Sequence, residues 1–405
     1  MKRVLLTDGE ERSTLAVTRS LGAAGYRVEV ASRTGRSLAG ASGYCVADHR
    51  APAASDGPRE FLDHFQRLVE ARNIDVFLPM TDVSASVGLG LRDRCPNLII
   101  PFPKERVWAD ASDKARLAEV AGELGVPVPR QVRLESKTLG SDAACDFASR
   151  TGYPVVVKPH RSAVVLPRRV EKFGVRLADN ADELRAALED LPPCAYPVLV
   201  QERIRGQGLG GFFLCADGAT VAAFAHRRLR EKPPTGGVSV LRESVPLRDD
   251  VRSYSEALLA HLRWSGVAMV EFKEDSATGT PYLMEINGRF WGSLQLAIDA
   301  GVDFPAMLLD VFAPRSDGAR SRPPAAYATG VRSRWLWGEV DHFIALARMS
   351  AVDRHRAGFR GGFGTVLEGL RLALQPHDRQ EVFRASDLRP FLVETVEWVR
   401  SLGRG

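Results

Sequence analysis

The residues with the clearest chemical potential lie in one segment, 265–301, which reads SGVAMVEFKEDSATGTPYLMEINGRFWGSLQLAIDAG. Two apolar stretches flank a polar turn at 274–280, and this pattern predicts a β-hairpin. Because side chains alternate between the two faces of a strand, Glu285 and Asn287 share a face. If the two strands pair symmetrically about the turn, Glu271 joins them there. The sequence thus predicts two carboxylates and an amide on one face of a hairpin.

Such a cluster needs charge compensation. At about 4 Å, with an effective dielectric constant near 20, two like charges repel by roughly 4 kcal/mol. A bound cation can offset this repulsion, or else the pKa of one carboxyl group rises. Oxygen ligands of this kind suit a hard ion, Mg²⁺ or alternatively Mn²⁺, that also contacts substrate phosphates. The competing interpretation is a solvated hairpin face whose acids have no binding role.

A second segment, Tyr153–Pro159, is an apolar strand that delivers Lys158 at its end. A lysine in this position is usually a solubilising charge at a sheet edge. Here, however, more cationic side chains follow within a few residues, and such a concentration of donors favours polyphosphate binding. These side chains are His160, Arg161, Arg168, Arg169 and Lys172.

Two weaker signals accompany these segments. The strand Val198–Gln201 exits through Gln201 and Glu202, and an amide with free backbone groups can bind the edge of an adenine ring. The basic stretch Phe224–Val240 contains Arg228 and runs into Pro-Pro and Gly-Gly, so it could fold over an anionic substrate. A solvated basic hairpin is the alternative interpretation of this stretch.

The order of elements along the chain indicates more than one domain. Short apolar strands alternate with helical patterns over roughly the first hundred residues, which is typical of right-handed βαβ units in a parallel sheet. From Val155 onward several hairpins are implied, as in an α+β domain. The segment Ala313–Ala326 is rich in proline and arginine and marks a linker or long surface loop. The pattern after it is mainly helical.

Taken in this order, these segments resemble the ATP-grasp superfamily, and within it the carbamoyl-phosphate-synthase-like carboxylate–amine ligases. The resemblance covers roughly Met1–Phe312. It is carried by Ser112-Asp113-Lys114 at a helix start, the strand end Val156–Pro159, the hinge Val198–Gly206, the strand of Glu271, and Glu285-Ile286-Asn287-Gly288-Arg289.

The resemblance implies an ATP-grasp fold, α/β and α+β in several domains. It places a Rossmann-like pre-ATP-grasp domain over residues 1–110. An ATP-grasp domain follows over 111–313, with two α+β subdomains that hold ATP between them. A linker or surface loop over 314–326 then leads to a mainly helical C-terminal segment over 327–405.

The resemblance also implies an activity and a set of site residues. An ATP-dependent ligase would phosphorylate a carboxylate to an acyl phosphate and couple it to an amine, releasing ADP and phosphate. The implied roles are shared among ten residues: phosphate contacts by Lys114 and Lys158, adenine contacts by Gln201 with the backbone of Glu202 and Ile204, magnesium binding by Glu271, Glu285 and Asn287, and catalysis by Arg289 and Arg228.

Some positions depart from the family pattern. The segment Pro159–Phe173, which would cover the phosphates, contains no glycine. Gly208 stands where an acidic residue commonly holds the ribose, with Gln207 as its nearest substitute, and Met269 stands where some ligases have an arginine. The strand-end pair Thr81-Asp82 resembles the pre-ATP-grasp domain, which often helps to hold the second substrate.

Composition limits the partners and the compartment. The 405 residues are 45% hydrophobic and 26% charged, as in soluble globular proteins. A net charge of +5 without a block of five like charges argues against a nucleic-acid partner. Five dispersed cysteines, with no signal-type segment or long apolar run, favour a reducing cytoplasm and no membrane partner. A helix at Pro390–Leu402 leaves a homodimer open.

Other classes of function compete with the ligase. The chain starts with a strand, turn, helix and strand ending in Ser32-Arg33, which would suit NADP, but the turn reads DGEERS and lacks the G-x-G-x-x-G glycines. A dehydrogenase is therefore disfavoured. Two alternatives stay open: an ATP-grasp kinase that stops at phosphoryl transfer, and a degenerate nucleotide-binding sensor or scaffold.

Overall fold

The computed structural model describes residues 1–137, 141–234, 237–315, 318, 326–350 and 378–403. Most of the predicted linker, and residues 351–377 and 404–405 of the predicted helical C-terminal segment, lie outside the described residues. Among those described, no helix is long and apolar enough to cross a membrane.

Strands occur along most of the described chain. They are β1 (Arg3–Leu6), β2 (Arg27–Ser32), β3 (Cys45–Arg50), β4 (Val76–Leu78), β5 (Gln131–Leu134), β6 (Val155–Pro159), β7 (Ala163–Val165), β8 (Val170–Lys172), β9 (Arg176–Ala178), β10 (Val198–Glu202), β11 (Gly208–Ala216), β12 (Ala219–Lys232), β13 (Val238–Ser244), β14 (Gly266–Glu274), β15 (Pro281–Asn287), β16 (Arg332–Arg334) and β17 (Arg379–Gln380).

Helices alternate with these strands, and a 3₁₀ turn covers Pro193–Ala195. The helices are α1 (Arg12–Ala23), α2 (Pro58–Arg72), α3 (Asp82–Gly88), α4 (Leu91–Arg94), α5 (Glu105–Ser112), α6 (Lys114–Glu123), α7 (Ser141–Thr151), α8 (Ala181–Glu189), α9 (Asp249–His261), α10 (Leu294–Asp299), α11 (Phe304–Phe312), α12 (Leu336–Arg348) and α13 (Arg389–Leu402).

The chain divides into two compact units. Unit 1 takes its described residues from Met1–Ala51, Phe224–Pro246 and Trp291–Gly405, and unit 2 from Pro52–Ala223 and Leu247–Phe290. The chain passes between the units within β12. The predicted four-part division of the chain stays a prediction.

Unit 1 opens with the βαβ pattern that the sequence predicts. Strands β1, β2 and β3 are neighbours and parallel. Val4, Leu5, Val28 and Val30 are fully buried, as expected for a parallel sheet covered on both faces. Strand β3 was not predicted, because it is polar and only partly buried. Farther along the chain, β13 pairs antiparallel with the end of β12 and with β16.

Unit 2 contains a small sheet in the order β5-β10-β6-β9. Val155, Val157, Val198 and Val200 alternate along β6 and β10 and are buried in its core under α7 and α8. Residues between them therefore face the opposite side of the sheet. Lys158 pairs with Leu199 on that side, and Gln201 pairs with Val156.

A second antiparallel sheet of unit 2 brings β15, β14 and β11 together. Glu271 lies directly opposite Glu285, and Met269 lies opposite Asn287. The symmetrical hairpin predicted from the sequence is therefore confirmed over these pairs. A register shift follows between Glu271 and Phe272.

The short apolar stretch before Pro101 has the pattern that predicts a buried strand in unit 2, but this strand is not formed. The segment Leu98–Ile100 makes a single parallel bridge, from Ile99 to Val76. The apolar run is short and ends at Pro101, which has no N–H to continue a ladder.

Gly288 fixes the chain just after β15. A Cβ atom on this residue would lie 2.6 Å from the indole rings of both Trp108, on α5, and Trp264, before β14. Both tryptophans are buried. A glycine is therefore required here for close packing, and the packing holds the backbone of the neighbouring residues Asn287 and Arg289 in place.

We expect Gly288→Ala to lower the free energy of unfolding by about 1–3 kcal/mol, because the added methyl group overpacks the two indoles. Chemical denaturation measures this change. Gly122→Ala is the matched control: Gly122 lies exposed in α6, and a Cβ atom added there would meet no other atom within 4 Å, so alanine should raise stability by roughly 0.5–1 kcal/mol. Equal effects of the two substitutions would contradict the packing argument.

Candidate active site

Lys114 is held at the first position of α6. The Asp113 side chain caps this helix by accepting from two amide N–H groups of its first turn, at 3.0 and 3.1 Å. The N–H of Lys114 donates to the carbonyl oxygen of His160 at 2.8 Å, which ties α6 to the end of β6. Its ammonium group donates to the hydroxyl of Ser162 at 2.8 Å. The helix start and the strand end thus converge.

The Lys114 ammonium also contacts the predicted metal-binding face. Its Nζ lies 3.4 Å from Oε2 of Glu285. Burial favours a higher pKa for the Glu285 carboxyl group, but Lys114, a 3.0 Å hydrogen bond from Asn287 and the charge of Lys158 outweigh it. The pKa of Glu285 therefore lies below its ordinary value, and the group is a carboxylate at neutral pH.

Desolvation has the largest effect on the charge of Lys158. Burial lowers the pKa of Lys158 to about 8, and the charge of Lys114 acts in the same direction. The carboxylates of Glu285 and Glu271 oppose this change. The Lys158 Nζ lies 3.7 Å from the sulfur of Met284. A buried ammonium beside a thioether gains charge-assisted hydrogen bonds when an anion binds it.

The predicted metal ligands share one face of the hairpin. Glu271 and Glu285 form a cross-strand pair, and Asn287 donates to Glu285 from two residues farther along β15. These oxygen donors fit a hard divalent cation. In the described part of the chain, no group of three or more His, Cys, Asp or Glu side chains is arranged to hold a metal. A cation here would therefore need further oxygen ligands, such as nucleotide phosphates.

Arg289 makes a contact that sequence reasoning missed. Its Nε and Nη2 donate to Oδ2 of Asp82 at 3.3 and 3.0 Å, and its Nη1 donates to the carbonyl oxygen of Phe290 at 3.2 Å. Its Nη2 lies 3.5 Å from Oδ1 of Asn287. The sequence points to Thr81-Asp82 as a strand-end pair, but no local pattern links residues so far apart in the chain.

The predicted adenine-binding residues lie at the exit of β10. Gln201 is buried and its amide donates to the side-chain oxygen of Gln131. The carboxylate of Glu202 accepts from the backbone N–H and from Nε of Arg130, each at 2.8 Å. Ile204 is buried just beyond the strand. The hinge is thus fixed on its β5 side by side-chain contacts.

The basic residues after Lys158 have separate surroundings. The glycine-free segment forms the β7–β8 hairpin, and the N–H of Val170 donates to the carbonyl oxygen of Ser55 at 3.0 Å. Arg169 pairs with Glu171 and is largely exposed, whereas Arg161 donates to a backbone carbonyl of α5 at 3.4 Å. The predicted set is therefore not one continuous cluster.

Arg228 belongs to unit 1. It lies on β12, and its Nη1 donates to Oε1 of Glu231 at 3.1 Å. Its predicted catalytic role stays a prediction.

Comparisons with known proteins bear on the fold. Residues 196–336 match a family model described as "ATP-grasp in the biosynthetic pathway with Ter operon". No curated protein is similar in sequence to this chain.

Solved structures that resemble the chain share little sequence with it. An L-amino acid ligase from Bacillus licheniformis is 14% identical, with a TM-score of 0.58 over 80% of this chain and 78% of that one. A biotin carboxylase from Campylobacter jejuni, in complex with an ATP form, is 17% identical, with a TM-score of 0.62 over 82% and 74%. N5-carboxyaminoimidazole ribonucleotide synthetase from Thermotoga maritima is 16% identical, with a TM-score of 0.55 over 82% and 79%.

Identities this low support a conclusion about the fold. The matched segment contains the hinge, the β14–β15 hairpin and the glutamates and asparagine on its face. Together with the structural similarity over most of the chain, it confirms the ATP-grasp fold predicted from the sequence. The chain has an ATP-grasp fold.

Proposed function

We propose that this protein is an ATP-dependent carboxylate–amine ligase that passes through an acyl phosphate. The observation that carries the proposal is the contact between the Lys114 ammonium and the Glu285 carboxylate. It joins predicted phosphate-binding and metal-binding groups from two separate elements, and Lys158 interacts electrostatically with both. A site that neutralises a triphosphate and a divalent ion together needs this combination of charges.

Each group of the site has a role in phosphoryl transfer. Lys114 and Lys158 would hold nucleotide phosphates, while Glu271, Glu285 and Asn287 would hold Mg²⁺. When bound, the ion would neutralise the charge of the phosphate oxygens. Because the transfer needs little covalent help from the protein, positioning and electrostatic stabilisation account for most of the expected rate.

The remaining roles are those that the resemblance to ATP-grasp ligases implies. Arg289, one residue beyond the hairpin glycine, would stabilise the transferred phosphoryl group, with Arg228 as a second catalytic candidate. Gln201 and the backbone of Glu202 and Ile204 would bind adenine. The N–H of Glu202 already donates to a carbonyl oxygen at 2.9 Å, so its contact with the adenine amino group would be made by its carbonyl.

Two of the similar solved structures support C–N bond formation, rather than phosphoryl transfer alone, as the outcome of the reaction. An L-amino acid ligase and a carboxyaminoimidazole ribonucleotide synthetase are among the similar structures. We propose that the second step is attack of an amine on the acyl phosphate carbon, which forms the C–N bond and releases phosphate. A cytoplasmic location and a homodimer remain proposals.

A panel experiment tests this function. The protein is incubated with ATP, Mg²⁺ and sets of carboxylates and amines, while phosphate release and product masses are recorded. A ligase releases phosphate only when both a carboxylate and an amine are present. Its product has the mass of the two substrates minus one water. A kinase instead forms ADP and a phosphorylated product without an amine. No ATP consumption under any condition would favour the sensor or scaffold.

Glu285→Gln should lower turnover by roughly a hundredfold or more, because a neutral amide replaces a carboxylate that binds the ion. Phosphate release at saturating ATP measures the loss, and circular dichroism checks that the fold is kept. Glu135→Gln is the control, since Glu135 is exposed on the same unit and pairs with the partly exposed Arg133 at 2.7 Å. Full activity of Glu285→Gln would refute the metal assignment.

Nucleotide affinity should fall as the pH rises through about 8. Lys158 carries its charge below its pKa of about 8 and loses it above, so ADP binding is strongest at the lower pH. We expect a loss of roughly ten- to a hundredfold, the size of a hydrogen bond to a charged group. Calorimetry between about pH 7 and pH 10 measures this dependence.

Lys158→Arg provides the matched control, because arginine stays charged throughout this range and should flatten the profile. Lys158→Met should bind ADP weakly at every pH. A flat profile in the unmodified protein would count against a phosphate contact by Lys158.

A further inference from the structure

The ion pair between Asp82 and Arg289 joins two residues that are distant in the chain. Both donors on one edge of the guanidinium, Nε and Nη2, point to a single oxygen of Asp82, at 3.3 and 3.0 Å. Two hydrogen bonds to one edge fix the plane of a guanidinium as well as its position. The pair therefore restrains the orientation of Arg289.

The elements on both sides of the pair are themselves fixed. Asp82 is the first residue of α3, and a reciprocal cap holds the start of that helix: the N–H of Ser84 donates to the Thr81 hydroxyl at 3.2 Å, and the N–H of Thr81 donates to the Ser84 hydroxyl at 3.0 Å. The backbone beside the Asp82 carboxylate is thus well defined.

Trp108 connects the two sides. Its indole N–H donates to the Ser86 hydroxyl of α3 at 3.4 Å, and its ring packs against Gly288. On the other side of Arg289, Phe290 is buried. The same tryptophan thus contacts the helix that carries Asp82 and the chain next to Arg289.

Stability alone does not account for the pair. The side chains of Asp82 and Arg289 are 38% and 23% exposed, and ion pairs with this much solvent access contribute little to folding. Arg289 follows Glu285 and Asn287 on the same chain segment and lies close to Asn287. The pair therefore restrains a cation beside the candidate active site.

We propose that Asp82 is a positioning residue that holds Arg289 in the orientation needed for phosphoryl transfer. This inference rests on the proposed function. An arginine side chain has four rotatable bonds, and losing the Asp82 contact would let the guanidinium leave the site. Displacement of a catalytic group by about 1 Å can reduce a rate by roughly a hundredfold.

A double-mutant cycle tests the proposal. The turnover number and the Michaelis constant for ATP are measured by phosphate release for the unmodified protein, D82N, R289K and the double variant, with Mg²⁺ and the acceptors found in the panel. We expect D82N to lower kcat by roughly 10- to 100-fold with little change in KM for ATP. In the R289K background D82N should have almost no further effect.

Other results of the cycle would overturn the proposal. Losses that multiply in the double variant would show that Asp82 acts independently of Arg289. An unchanged or higher kcat for D82N would show that the pair is dispensable or inhibitory. D82E, which keeps the charge on a longer side chain, should recover part of the activity if position is what matters.

Two controls separate this inference from the proposed function. Asp93→Asn removes an exposed carboxylate from α4 in the same unit and should leave kcat unchanged. Hydrogen exchange of the Arg289 Nε–H, followed by NMR and assigned by its absence in R289K, reports the pair without any turnover. Slow exchange that becomes fast in D82N supports the pair even if no acceptor is found, whereas equal exchange in both proteins would contradict it.

Discussion

The structure of the candidate site depends on compensation of charge where the start of α6, the end of β6 and the β14–β15 hairpin meet. Removing one ammonium or one carboxylate from this group would leave its partners desolvated and unpaired, which is costly in a partly buried environment. The lowered pKa values of Glu285 and Lys158 reflect the balance. At the carboxylate, the lysines and the hydrogen bond from Asn287 together outweigh burial, and at the ammonium, burial with the charge of Lys114 outweighs the attraction of the carboxylates. Such a site is well matched to a ligand that brings both anionic phosphates and a cation.

Backbone constraints on either side hold these charges in place. The Asp113 cap fixes where α6 begins. The register between β6 and β10 fixes the position of Lys158 along β6, opposite Leu199. At the other end, the absence of a side chain on Gly288 lets two tryptophans pack against the chain. The chemistry therefore relies on ordinary packing features that lie one or two residues from each functional group.

The similar structures are enzymes whose printed names differ, although they share this fold. The similar structures include an amino acid ligase, biotin carboxylases and a ribonucleotide synthetase, all at low sequence identity. A shared fold supports many activities, because specificity depends on residues added around a common site.

The sequence by itself determined the fold class and most elements near the site. Alternation along β14 and β15 predicted that Glu271, Glu285 and Asn287 share a face, because side-chain direction in a strand follows from the backbone geometry of that strand. Tertiary structure alone decided that Lys114 meets Glu285, that Asp82 meets Arg289, and that the basic residues after Lys158 separate. These contacts join residues far apart in the chain, and no local periodicity records which distant side chain will fill the space beside a given charge.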